Sequence, residues 1–183
     1  PEDVYRDLRA GAESGWDFSS RWLADGTTLA LIRTVEIVPV DLNSLLFDLE
    51  VTLSRAYRVA GEHRSAREFS TRAQKRRNAL RRHLWDAKRG VYGDYHWPTR
   101  SLTHSLSAAT LYPLYFGVAT RVQANRVATA VRASLLQPDG LATTLVVTGQ
   151  QWDAPNGWAP LQWIGIQGLR AYGHHSLAQN IAQ

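Results

Sequence analysis

An all-helical chain is predicted by three features of the sequence. Apolar residues recur at helical spacing. Gly and Pro fall where those runs stop. Segments apolar on one side alternate with segments apolar on more than one side, as outer helices covering inner ones would. A short helix is predicted over residues 4–12. Leu42, Leu45, Leu46, Leu49, Leu53, Ala56, Tyr57 and Ala60 then mark a longer one, with Asp41 behind Pro39 as its N-cap and Gly61 as its stop. The next helix, over 64–85, carries Phe69, Ala73, Leu80 and Leu84 on one stripe, and arginines cover its other faces.

Gly90 and Gly93, with Tyr92, Tyr95 and Trp97, predict a small hairpin or ordered loop over 91–97. Residues 105–119 turn apolar nearly all round, through Leu106, Leu111, Tyr112, Leu114, Tyr115, Phe116 and Val118. That predicts a helix buried on most faces, with Pro113 either kinking it or lying in its first turn. Over 121–136 Val127 and Val131 face inward and Arg121, Arg126 and Arg132 outward, until Pro138 and Gly140. Asn156 reads as the cap of a further helix. Pro160 suits its first turn, and Trp158, Leu161, Leu169 and Tyr172 follow at helical spacing up to Gly173. A last helix from near Ser176 is expected to be running still at Gln183.

Composition narrows the function classes. The chain has 183 residues, 44% hydrophobic and 20% charged, which excludes a disordered tail. No apolar run reaches the roughly 18 residues of a membrane span, so no membrane partner is predicted. Cysteine is absent, which excludes a disulfide scaffold, a thiolate zinc site and a cysteine nucleophile. Methionine is absent too, and Pro1 is not a natural start, so the chain reads as a mature piece or a fragment. The net charge of +5 is carried almost wholly by arginine, concentrated between Arg55 and Arg100. Such a block is either a nucleic-acid footprint or a solvated helix face. No aromatic residues interleave with it and no nucleic-acid motif appears, so the solvated face is the reading adopted. His63, His83, His96, His104, His174 and His175 show no ligand spacing, and neither a metal nor a cofactor is predicted.

Seven tryptophans stand out, several in polar loops, where a flat apolar face rimmed by polar groups suits a sugar ring. Two segments concentrate the chemistry. In Gly15-Trp16-Asp17-Phe18 a carboxylate lies between aromatic side chains, which would raise its pKa as a general acid requires. Alternatively Asp17 caps a turn through the Ser19 or Ser20 amide. The second segment, from Gly149 to Trp163, holds Trp152, Trp158 and Trp163 among amides, Asp153, Pro155 and Pro160. It is either a stiffened sugar-binding loop or the start of a helix with its indoles in the core.

These two segments, Ala12 to Trp22 and Gln151 to Pro160, resemble signature segments of the trehalase family of glycoside hydrolases. Ile37 to Asn43, Leu84-Trp85-Asp86 and Tyr92-Gly93-Asp94-Tyr95 resemble the family in the same order. The resemblance implies that residues 1–183 are one segment of a catalytic domain built as an (α/α)6 toroid, incomplete at both ends. It also implies inverting hydrolysis of α,α-trehalose to two glucose molecules. On that basis Asp17 is the general acid, Gly15 a substrate contact beside it, and Trp16, Trp152 and Trp158 line the sugar pocket. An inverting site needs a second carboxylate roughly 6.5–9.5 Å away. The family's base comes from a Glu-Lys-Tyr segment downstream of the Trp-Asp loop, which is not present here, and Asp153 is a poor substitute. The chain alone is therefore not expected to turn over trehalose. It is expected to associate with itself or with the absent segments. The alternatives are a sugar-binding module without catalysis and a basic nucleic-acid-binding domain. Members of the family occur in the periplasm and inside the cell, and the periplasm is favoured.

Overall fold

The computed structural model describes residues 2–182. Pro1 and Gln183, on which two expectations fall, lie outside the described residues. Helix α1, Glu2–Glu13, has Glu2 and Asp3 in its first turn, where the helix dipole favours negative charge. It buries Asp7 and Gly11, and Asp7 accepts the Val35 N–H at 2.7 Å. Three 3₁₀ turns follow, Ser20–Trp22, Leu29–Leu31 and Thr34–Glu36, then the short strand β1, Ile37–Val38.

Helices α2, Val40–Val59, and α3, His63–His83, form an antiparallel hairpin turned at Gly61. Asp41 is not the N-cap of α2. Pro39 holds that place, and Asp41 lies inside the first turn because its carboxylate is drawn to Arg21. The covered face of α2 is Val40, Ser44, Phe47 and Ser54 rather than the leucine stripe. Leu42, Leu45 and Leu49 are each about half exposed. Against the covered face α3 buries Leu80 and two small residues that admit a close neighbour, Ala66 and Ala73, and the Ser54 hydroxyl donates to the Ala66 carbonyl at 2.8 Å. Arg64, Arg67, Arg72 and Arg82 of α3 are exposed, whereas Arg76, Arg77 and Arg81 are part-buried, Arg76 donating to Glu50 and Asn43 of α2 and Arg81 to the Val118 carbonyl.

The segment expected as a small hairpin or ordered loop over 91–97 is divided between two sheets. Strand β2, Trp85–Asp86, pairs with β3, Val91–Tyr92. Strand β4, Tyr95–His96, lies between β1 and β5, Ser101–Leu102. The break falls at Gly93-Asp94, where the Asp94 carboxylate is pulled into the core.

The long helix expected over 105–119 is also shorter. It consists of a 3₁₀ turn, Ala108–Leu111, and α4, Tyr112–Tyr115, ended by Gly117 at φ +67°. Its burial on most faces is as expected: Ala108, Ala109, Leu111, Leu114 and Val118 are 1% exposed or less, while Tyr115 is 36% exposed. Pro113 lies in the first turn of α4, where its missing N–H leaves no carbonyl unpaired. Helix α5, Arg121–Ser134, starts with a capping box between Thr120 and Gln123. Strands β6, Leu136–Gln137, and β7, Gly140–Leu141, make a hairpin over Pro138 and Asp139. Helix α6, Ala159–Ala171, is capped by Trp158 rather than Asn156, whose amide donates instead to the Gln151 carbonyl. Helix α7, His175–Ile181, closes the described chain. No helix among the described residues is long and apolar enough to cross a membrane.

Candidate active site

After α1 the chain turns at Gly15, whose φ of +78° a side chain would strain. The next residues alternate in exposure. Trp16 is 4% exposed, Asp17 is exposed, Phe18 is half-buried, and Ser19 and Ser20 are buried. Asp17 therefore projects to solvent while its neighbours are held in the molecule. The two aromatic side chains do not wall it in, contrary to the sequence reading, because Trp16 turns inward towards Arg21 and Phe18 packs on Gly11.

Arg21 anchors the segment and is 2% exposed. Its Nη1 and Nη2 donate to Asp41 at 2.7 Å each, while Nε and Nη2 donate to Asp94 at 2.6 and 2.7 Å. Its guanidinium lies 4.5 Å from the ring centroids of both Trp16 and Trp22. Burial opposes the charge, but Asp41 and Asp94 outweigh it and hold the guanidinium protonated more firmly than a free arginine. Burial likewise disfavours ionised Asp41, yet Arg21 overrides it and keeps that carboxyl below the usual carboxylate range.

Asp153 ties the second segment to the first. It is wholly buried. It accepts from the Ser19 hydroxyl at 3.0 Å, the Ser20 N–H at 2.8 Å, the Ser20 hydroxyl at 2.7 Å and the Thr144 hydroxyl at 2.9 Å, and from the Thr148 hydroxyl. The turn-capping role open to Asp17 thus belongs to a residue far along the chain. So many donors leave Asp153 no lone pair for a catalytic water, in keeping with the expectation that it is not the base. One further bond joins the segments, from the Trp152 N–H to the Phe18 carbonyl at 3.0 Å.

A ladder of π systems results. Trp16 meets Trp152 at 5.2 Å between centroids, and Trp152 stacks on Trp158 at 4.5 Å and 11°. With Arg21 and Trp22 the order is Trp22, Arg21, Trp16, Trp152, Trp158. Three of the sequence-predicted residues, Trp16, Trp152 and Trp158, are thereby brought together; Gly15 and Asp17 adjoin Trp16 along the chain, with the Asp17 side chain exposed. A cavity of ≈ 360 Å³ lies beside Trp16 and Trp22, lined also by Glu13, Ser14, Asp41 and Tyr112. Trp163, by contrast, is 57% exposed on α6 and outside the ladder. Sequence reasoning missed Arg21, Asp94 and the hydroxyls around Asp153. A buried arginine beside two tryptophans was the available signal, masked by the abundance of arginine elsewhere. Among the described residues no group of three His, Asp or Glu side chains is arranged to hold a metal.

Comparison with known proteins gives one answer. The family model described as Trehalase matches residues 1–183. A periplasmic trehalase of Xanthomonas campestris is 58% identical over 181 residues, which is 99% of this chain and 32% of that protein. One from Pseudomonas aeruginosa is 54% identical, over 99% of the chain and 33% of its own length. The chain thus spans about a third of the length of the relatives it matches. In three dimensions a neutral trehalase from Saccharomyces cerevisiae superposes with a TM-score of 0.85 at 26% identity, over 99% of this chain and 34% of that one. A mannosylglycerate hydrolase from Thermus thermophilus shares the fold, with a TM-score of 0.71 at 20% identity over 80% of this chain and 36% of its own. The expected all-α portion of an (α/α)6 toroid is borne out by these neighbours.

Proposed function

The chain belongs to the trehalase family, and on that premise we propose that it supplies the acid side of a site hydrolysing α,α-trehalose to two glucose molecules with inversion. Asp17 protonates the glycosidic oxygen as the C–O bond breaks. Water attacks the anomeric carbon from the opposite face and gives its proton to a second carboxylate. The base lies outside this chain, which forms part of a larger catalytic unit. Gly15 leaves room for the sugar beside the acid; Trp158, at the end of the ladder, presents apolar surface to it, and Trp152, between Trp16 and Trp158, offers only its edge. Trp16 has its faces towards Arg21 and Trp152, so it supports the pocket more than it touches the ligand. The periplasm is the proposed compartment, as the relatives' names indicate.

The observation that supports this reading is the clamp of Asp153 on Ser19 and Ser20, which joins the Trp-rich loop to the segment that projects Asp17. The test is a chimera in which this chain replaces the matching 181 residues of the Xanthomonas campestris enzyme. The chimera should release glucose from trehalose, and Asp17→Asn should lower kcat by at least about 10²-fold. A folded chimera without activity, or a fully active Asp17→Asn, would sink the proposal. Turnover by the chain in isolation would move the base inside it.

A further inference from the structure

The arginine block has no part in the site described above, and its charges are not disposed evenly. Arg72 pairs with Glu68, Arg76 with Glu50 and Asn43, and Arg81 donates to the Val118 carbonyl. Arg55, Arg58 and Arg77 have no carboxylate within ion-pair distance among the described residues. These three line one small pocket of ≈ 160 Å³ between α2 and α3, together with Ser54, Ser70 and Gln74. Their spacing explains the convergence. Ser54, Arg55 and Arg58 share a side of α2, and Ser70, Gln74 and Arg77 lie one turn apart along the facing side of α3.

We propose that this pocket binds a phosphate-type oxyanion, either inorganic phosphate or the phosphate group of a small monoester. Three cations brought together without a counter-charge repel one another, and a multivalent anion relieves that repulsion. Guanidinium forks match phosphate oxygens two at a time. Arg77 is held in advance, its guanidinium 4.9 Å from the Phe47 ring centroid, so less side-chain freedom is lost on binding. Gln74 gives one N–H to Asn78 and keeps the other for a ligand. The pocket has room for the phosphate group alone, so the rest of an ester would project to solvent.

The experiment is calorimetric titration of the chain with inorganic phosphate, glucose 6-phosphate and glucose, at ionic strength matched with chloride. Both phosphates should bind saturably and glucose should not. Equal affinity for the two means that the phosphate group alone is read, whereas tighter binding of the ester means that the projecting sugar adds contacts. Arg55→Gln with Arg58→Gln, both exposed and outside the core, should weaken phosphate at least about tenfold. Arg132→Gln, an exposed charge on α5, should leave it unchanged. Heat from chloride alone equal to that from phosphate, or a double variant that binds like the native chain, would overturn the assignment. Neither result bears on trehalose hydrolysis, which involves other residues.

Discussion

A guanidinium chelated by two carboxylates and sandwiched between two indoles is costly to bury and costlier to disturb. Arg21→Met would leave Asp41 and Asp94 in the core without a counter-charge. The expected loss is about 3–5 kcal/mol, measurable by urea denaturation. The pH dependence should change sign with it. In the native chain Asp41 has a folded pKa below its ordinary value of 3.8. Its contribution is therefore complete above that value and is lost as pH falls through the folded pKa. Without Arg21, burial is the dominant influence and favours the neutral acid. The variant should gain stability on acidification from neutrality towards about pH 5, while the native chain does not. A native-like pH profile in Arg21→Met would show that the two carboxylates find other partners. Asp17, whose side chain is exposed and takes part in none of these bonds, should tolerate Asn with little change in stability, within about 0.5 kcal/mol.

At the scale of elements, packing depends on where side chains are missing. Helix α6 passes close to α4 at Gly168, and to Leu111 and to Leu141 of β7 at Gly165. A methyl group on Gly168 would lie 3.0 Å from the Tyr115 backbone nitrogen and 3.3 Å from the Leu114 Cβ, neither of which can turn aside. On Gly165 it would meet the end methyl groups of Leu141 at 2.7 Å and Leu111 at 3.1 Å, side-chain ends that can shift more readily than backbone. Alanine is otherwise the better helix former by about 1 kcal/mol. Gly168→Ala should therefore destabilise by about 1–3 kcal/mol, and Gly165→Ala by clearly less, as thermal melting would resolve. Equal losses would mean that the helices shift as rigid bodies instead. Helix existence and type were legible from periodicity, as with α3 and α5. The covered face of α2 was not. Its leucine stripe and its Val40, Ser44, Phe47 and Ser54 face are both compatible with a helix, and only the position of α3 decides between them.

At the scale of the molecule, the site was legible through its two signature segments but not through what unites them. Asp153 and Ser20 are 133 residues apart, and no local pattern announces a bond over that distance. The Arg21 network is hidden for the same reason, since Asp41 and Asp94 lie 20 and 73 residues away. What the fold leaves uncovered carries the last prediction. Leu42, Leu45 and Leu49 follow one another along one side of α2 and are 49%, 47% and 51% exposed, with Val59 at 91% near the end of the helix. A contiguous apolar strip of this kind is seldom left to water. Leu42 and Leu45 also line the cavity beside Trp16, and the strip is where the isolated chain is expected to associate with itself when the absent segments are not there to cover it. Sedimentation velocity should then show a mass that rises with concentration. Leu45→Glu with Leu49→Glu should return the chain to a monomer with its helical circular dichroism intact, since neither side chain belongs to the core. A native chain that stays monomeric across the concentration range would show that this strip is tolerated in water, and the charged pair would then alter nothing.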